Sequence, residues 1–214
     1  LKGSNNFFTL FTSGSTGQPK GVTHSIAGYF IYNKLTCKKK FGISKNSVVF
    51  TASDAGWING HSYALFGPLS LGASTVILEV PYLILDDEFL KLILKTCKVT
   101  ILYLPVTLIR LMKAIYTKKI KSKYLRTIGS MGEPLAFSVG QWFAKNFELS
   151  KKAIINTYFQ TETGGVVSSA NYKNYSHQVK HGSSGKVLNN HLGLFLDKSE
   201  NPPEFKIKNP WPGC

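Results

Sequence analysis

Thr12-Ser-Gly-Ser-Thr-Gly-Gln-Pro-Lys-Gly21 gathers small, donor-rich residues around a single lysine. Gly14, Gly17 and Gly21 permit backbone angles closed to other residues, so N–H groups can converge on one cluster of oxygens. Thr12, Ser13, Ser15 and Thr16 bring hydroxyls, and Lys20 brings a compact positive charge. The apolar run Phe7, Phe8, Leu10 and Phe11 predicts a buried strand entering the loop, and His24 to Thr36 a helix leaving it. That order describes a phosphate cradle. It is not the Walker loop, whose lysine is followed by Ser or Thr to hold magnesium; here Lys20 follows Pro19 and precedes Gly21. A flexible Ser/Gly linker is the bland alternative, and the apolar strand in front of the loop and its Pro-Lys-Gly ending argue against it.

Downstream, strand and helix patterns alternate. Val48 to Thr51, Thr75 to Leu78, Val99 to Leu104 and Arg126 to Ser130 read as strands, as does the apolar Ala153 to Ile155. Ser62 to Leu71, Asp86 to Cys97, Thr107 to Tyr116 and Phe137 to Phe147 carry apolar residues at helical spacing. The fold class is therefore α/β, a mostly parallel sheet with helices on both faces. Such sheets bind ligands beyond the carboxyl ends of their strands, and the loop after Phe11, Asp54 to His61, Gly132 to Pro134 and Gln160 to Glu162 all stand there. After Gly165 the pattern changes to short apolar runs at Gly182 to Val187, His191 to Leu196 and Phe205 to Ile207, expected to begin a smaller antiparallel β subdomain. The expected organisation is residues 1–165 as the α/β region and 166–214 as the start of that subdomain, with 171–181 as a polar loop.

The chain has 214 residues and a net charge of +15, carried by 26 basic residues of which only Arg110 and Arg126 are arginine. Readers of bases and phosphates favour grouped arginine forks; scattered lysines read better as solvated faces, so no nucleic-acid partner is expected. Cys37, Cys97 and Cys214 are odd in number and far apart, against a disulfide framework or zinc site and in keeping with a reducing compartment. The cytoplasm is the expected location, the nucleus a second. No apolar run is long enough to cross a membrane. Oligomeric state is not legible.

The decamer resembles the phosphate loop of the adenylate-forming superfamily, which includes acyl-CoA synthetases, luciferases and peptide-synthetase adenylation domains, with Gln18 where a lysine is usual. Four further segments are similar to the short-chain acyl-CoA synthetases of the acetyl and propionyl type. They are Trp57-Ile-Asn-Gly-His-Ser-Tyr63 with Gly67-Pro-Leu69, Gly132-Glu-Pro134, Asn156-Thr-Tyr-Phe-Gln-Thr-Glu-Thr-Gly-Gly165 and Pro210-Trp-Pro-Gly213. The resemblance covers nearly the whole chain, in order. It implies the middle of a longer enzyme, without the amino-terminal portion and the small mobile carboxy-terminal domain, and hence a piece unable to complete the reaction alone.

The implied reaction joins a short carboxylate, acetate ahead of propionate, to the α-phosphate of ATP with release of pyrophosphate, then passes the acyl group to CoA. By the resemblance Thr12 to Gly21 would clasp the β and γ phosphates with Lys20 as counter-charge, Thr161 would bond the α-phosphate, and Glu162 would hold Mg2+. Gly132, Glu133 and Pro134, with Asn156, Thr157 and Tyr158 and the following Phe159, Gln160 and Thr161, would form the ATP/AMP site. Trp57, Ile58, Asn59, Met131 and Phe159 would surround the acyl end, and Asn59 and Tyr82 would lie toward CoA. The relatives place Val, Thr, Val and Trp where this chain has Ile58, Asn59, Met131 and Phe159. Another adenylate-forming ligase and, from charge alone, a non-catalytic basic binding module are the alternatives. His61 has no second ligand at metal spacing and is expected to be a structural hydrogen-bonder or pocket-wall residue.

Overall fold

The computed structural model describes residues 2–13, 17–149, 154–170, 182–188, 194–199, 201–208 and 211–212. Gly14, Ser15 and Thr16 of the glycine loop, and the 171–181 span expected to be a loop, lie outside the described residues.

The first element corrects the sequence reading. Asn6–Ser13 (β1) is followed by a second strand, Pro19–Ser25 (β2), and only then by a helix, Ile26–Thr36 (α1). The two strands form an antiparallel hairpin that pairs Thr12 with Lys20 and Phe11 with Gly21. Val22 and Thr23 are β-branched and suit a pleated surface, and pairing with β1 carries the strand through His24 to Ser25. The glycine loop is thus the tip of a hairpin, not a strand-to-helix turn. Nor is its entering strand wholly buried: its sides alternate, and Phe11 is exposed.

Behind the hairpin lies a seven-stranded sheet in the order β4-β3-β5-β6-β7-β8-β9. Val48–Thr51 (β3), Ser74–Val76 (β4), Ile101–Pro105 (β5), Thr127–Met131 (β6) and Ile155–Tyr158 (β7) run parallel. Ser168–Ser169 (β8) and Lys186–Val187 (β9) extend the sheet in antiparallel sense. Leu194–Asp197 (β10) and Glu204–Ile207 (β11) form a hairpin of their own. The antiparallel pairing expected after Gly165 is therefore divided between an extension of the main sheet and a separate hairpin.

The side-chain period of two separates the faces. Phe50, Leu102, Leu104 and Ile128 face one core, with Leu90 and Leu94 of the helix Asp87–Thr96 (α3), Ile109 and Met112 of Val106–Ile115 (α4), and Val139 and Phe143 of Phe137–Asn146 (α5). Val49, Ile101, Tyr103 and Met131 face the other, with Tyr63 and with Cys37 and Phe41 of the π-type turn that continues α1. Strands covered on both faces need near-continuous apolar sequence, which β5 supplies. α3 starts where Asp86 Oδ1 accepts from Glu88 N at 2.9 Å and Phe89 N at 3.3 Å, and its acids stand at the positive end of the helix dipole. The segment Gly60–Phe66 is wound as a π-helix and ends in a single α-turn, Gly67–Leu69 (α2).

Candidate functional site

A cleft of about 680 Å³ opens at the carboxyl ends of β3, β5, β6 and β7. This is where ligand sites of open parallel sheets lie. All five residues assigned from sequence to the acyl end, Trp57, Ile58, Asn59, Met131 and Phe159, line it, as do Tyr82, Gly132, Glu133, Gln160 and Thr161. Ile58, Asn59 and Met131 are buried in the wall, whereas Trp57 is 69% exposed and stands with exposed Tyr82.

Other candidates lie elsewhere. Asn156 and Thr157 are buried inside β7. Ser130 Oγ donates to Asn156 Oδ1 at 3.0 Å, Asn156 Nδ2 donates to the Gly182 carbonyl at 3.2 Å, and Thr157 Oγ1 donates to the Ser130 carbonyl at 2.9 Å. Tyr158 packs with Tyr32, Val167 and Trp211. None of the three, nor Pro134, is on the cleft wall. Thr12 and Lys20 face each other across the hairpin, with Lys20 exposed. Gly17 takes a left-handed φ of +81° at the hairpin tip.

The turn after β7 carries Thr161 and Glu162 and is held from several sides. His24 Nε2 donates to the Thr161 carbonyl at 2.8 Å. Trp211 Nε1 donates to the Thr163 carbonyl, so this distant tryptophan reaches the same turn. Ser62 Oγ at 2.5 Å and Asn33 Nδ2 at 3.2 Å donate to the Gly164 carbonyl. Val166 N donates to Tyr63 Oη at 2.6 Å, and Tyr32 Oη donates to the Val166 carbonyl at 2.8 Å. Burial pushes the Tyr29, Tyr32 and Tyr63 hydroxyls well above the ordinary tyrosine range, so they act as neutral hydrogen-bonding groups. Burial likewise pushes the Cys37 thiol up, leaving it a packing residue rather than a nucleophile.

The Trp57 to Tyr63 segment thus splits in two. Trp57, Ile58 and Asn59 face the cleft; Ser62 and Tyr63 hold the turn behind it. His61 does neither: its ring stacks on Phe8 at 4.9 Å and its Nε2 has no hydrogen-bond partner. It is a stacking residue, not the hydrogen-bonder or wall residue expected.

Sequence reading missed four contributors. His24 was assigned to a helix. Thr107 and Leu108 line the cleft from the start of α4, and Thr107 Oγ1 and Arg110 Nη1, the latter at 2.7 Å, both donate to the Glu133 carboxylate. The carboxyl-end rule that pointed to the other loops, applied to β5, would have found Thr107.

A model of the AMP-binding enzyme family matches residues 1–204. The chain belongs to this family. Among AMP-binding enzymes it is 44% identical over 161 residues to acetyl-coenzyme A synthetase 2 of Debaryomyces hansenii, a match covering 73% of this chain and 24% of that protein. It is 40% identical over 171 residues to acetyl-coenzyme A synthetase of Vibrio cholerae, covering 78% of this chain and 26% of that protein. The chain therefore spans about a quarter of the length of these curated relatives. The crystal structure of a Brucella canis acyl-CoA synthetase superposes with a TM-score of 0.73 at 28% identity, over 98% of this chain and 36% of that one. The parallel sheet, hairpin and cleft thus correspond to part of the fold of that longer enzyme.

Proposed function

We propose that this chain is the nucleotide- and acid-binding region of an ATP-dependent acyl-CoA synthetase for short carboxylic acids, acetate first, with propionate as the alternative. The observation that carries this reading is convergence. Residues from four separate segments, Ile58 and Asn59, Thr107, Met131 to Glu133, and Phe159 to Thr161, meet in one cleft at the carboxyl end of the sheet, in a chain similar to acetyl-CoA synthetases.

In the proposed reaction a carboxylate oxygen attacks the α-phosphorus of ATP, the bond to the β-phosphate oxygen breaks, and pyrophosphate leaves with that electron pair. The sulfur of CoA then attacks the acyl carbon, its proton passes to solvent or base, and AMP departs. Two anions meet in the first step, so positioning and charge neutralisation carry the catalysis. Lys20 and the hairpin tip would take the terminal phosphates, Thr161 the α-phosphate, and Gly132 and Glu133 the nucleoside side. Tyr82 and Trp57, exposed together at the cleft, suit the CoA side. Magnesium commonly uses one or two carboxylates together with substrate phosphates. Glu162, exposed beside Thr161, fits such a metal, whose charge would offset that of the phosphates. No described helix is long and apolar enough to cross a membrane, and the free thiols of Cys37 and Cys97 suit the cytoplasm.

Acid-dependent exchange of labelled pyrophosphate into ATP, measured on the full-length protein with acetate, propionate and butyrate, tests the proposal. Exchange that requires a short acid is expected. Exchange with none of them, or only with a long-chain or aromatic acid, would overturn it.

A further inference from the structure

Thr161 reaches the cleft wall from a single 3-10 turn, Thr161–Thr163, which is ended by Gly164 at a left-handed φ of +62°. One such turn has few bonds of its own, and the carbonyls at its end have no partner inside it. Two buried aromatic residues supply donors from outside. Trp211 Nε1 donates to the Thr163 carbonyl, and Tyr32 Oη donates to the Val166 carbonyl at 2.8 Å. Their rings meet edge to face, with centroids 4.9 Å apart and planes at 64°, so the packing that holds one ring also fixes the aim of the other. Neither residue lines the cleft.

A buried indole or phenol needs an acceptor, and any nearby carbonyl would satisfy that need. Here both are directed to the four residues that follow Glu162, two of which are Gly164 and Gly165. Glycine gives this stretch the greatest freedom to drift, and a drift would carry Thr161 with it. We infer that Trp211 and Tyr32 form a clamp that positions Thr161 for the α-phosphate, acting on nucleotide binding without touching the nucleotide. This rests on the proposed function, in which Thr161 meets the α-phosphate, and adds two positioning residues to it.

Trp211→Phe removes the indole donor, and Tyr32→Phe removes only a hydroxyl. Ile93→Val, in the core under α3, α4 and α5, is a control of comparable cost to stability. On the full-length proteins, well below their melting temperatures, ATP binding is measured by calorimetry without acid, and the KM values for ATP and for the best short acid by pyrophosphate exchange. Each clamp variant should weaken ATP binding and raise its KM about tenfold, the worth of one well-placed hydrogen bond, with the KM for the acid unchanged. The control should move neither. Tyr32→Phe decides the matter where Trp211→Phe does not fold. ATP affinity unmoved in a folded clamp variant, a rise in both KM values together, or the same ATP shift in Ile93→Val overturns the inference alone. A wild type that exchanges with no short acid sinks it together with the proposed function.

Discussion

His24 Nε2 donates a hydrogen bond to the backbone oxygen of Thr161 across 2.8 Å, joining residues 137 positions apart. The first sits at the base of the glycine-loop hairpin and the second in the turn on the cleft wall. No local pattern in the sequence announces such a bond; it ties the base of the hairpin to the turn on the cleft wall. His24 is held in turn by rings, with Phe8 at 5.3 Å and Tyr29 at 5.4 Å.

His24→Phe should keep the ring packing and remove one of the two hydrogen bonds to the Thr161 oxygen, which Gly164 N also supplies at 3.1 Å. A stability loss of about 0.5–1.5 kcal/mol is expected from the lost hydrogen bond, read as a lower urea midpoint with unchanged slope. In pyrophosphate exchange the KM for ATP should rise more than the KM for the acid, since the variant loosens the phosphate side. An equal rise in both would refute the coupling.

Gly164 adopts a left-handed φ of +62°, and a Cβ there would lie 2.8 Å from His24 Cε1 and 3.1 Å from Tyr29 Cδ2. Gly164→Ala should therefore combine about 1–2 kcal/mol of backbone strain with about 1–3 kcal/mol of overpacking. Gly17 has a similar φ of +81° but open space around it. Gly17→Ala should cost the strain alone. Equilibrium unfolding of the two variants side by side would reveal whether the crowding at His24 is real.

The Arg110–Glu133 ion pair is about half exposed on both sides, so it is expected to contribute under about 1 kcal/mol to stability. Its effect should instead be positional, because Glu133 lines the cleft. Arg110→Met is expected to leave the melting temperature nearly unchanged while raising the KM for ATP severalfold. A melting loss without a kinetic change would assign the pair to stability only.

Asp197 on β10 is held down to about 2 by hydrogen bonds from Lys206 and Ser199. Its folded value lies below the ordinary carboxylate value of about 3.9, so the stabilisation it gives is present above that value and lost as the pH falls through about 2. Lys206→Met should move the Asp197 midpoint upward in a carboxyl NMR titration. A midpoint that stays put would mean Ser199 alone sets it.

The sheet and its helices were legible because each element carries its own signal. Asp86 with two acids after it and a lysine near the end marks α3 locally, and the apolar run Val99 to Leu104, too short for a helix of ordinary length, reads as a strand. The glycine-loop hairpin was not legible in this way. Val22 and Thr23 favour a strand only weakly, and what commits Pro19–Ser25 to one is its pairing with β1. The cleft residues were legible through resemblance and through their places at strand ends. Thr107 and Arg110 were not, since their role exists only through Glu133, more than twenty residues away in sequence.

What the sequence determined by itself was the alternation of elements, the family and the residue types available at the strand ends, because those depend on short-range period and on motifs read in order. Tertiary structure decided which of those side chains share a space. It put His24, Ser62, Asn33 and Trp211 around one turn, turned Asn156 and Thr157 into interior hydrogen-bonders, and sealed the Asn59 amide away without a hydrogen-bond partner. Hydrogen bonds between distant segments depend on packing of the whole core, and no local stretch of chain encodes them.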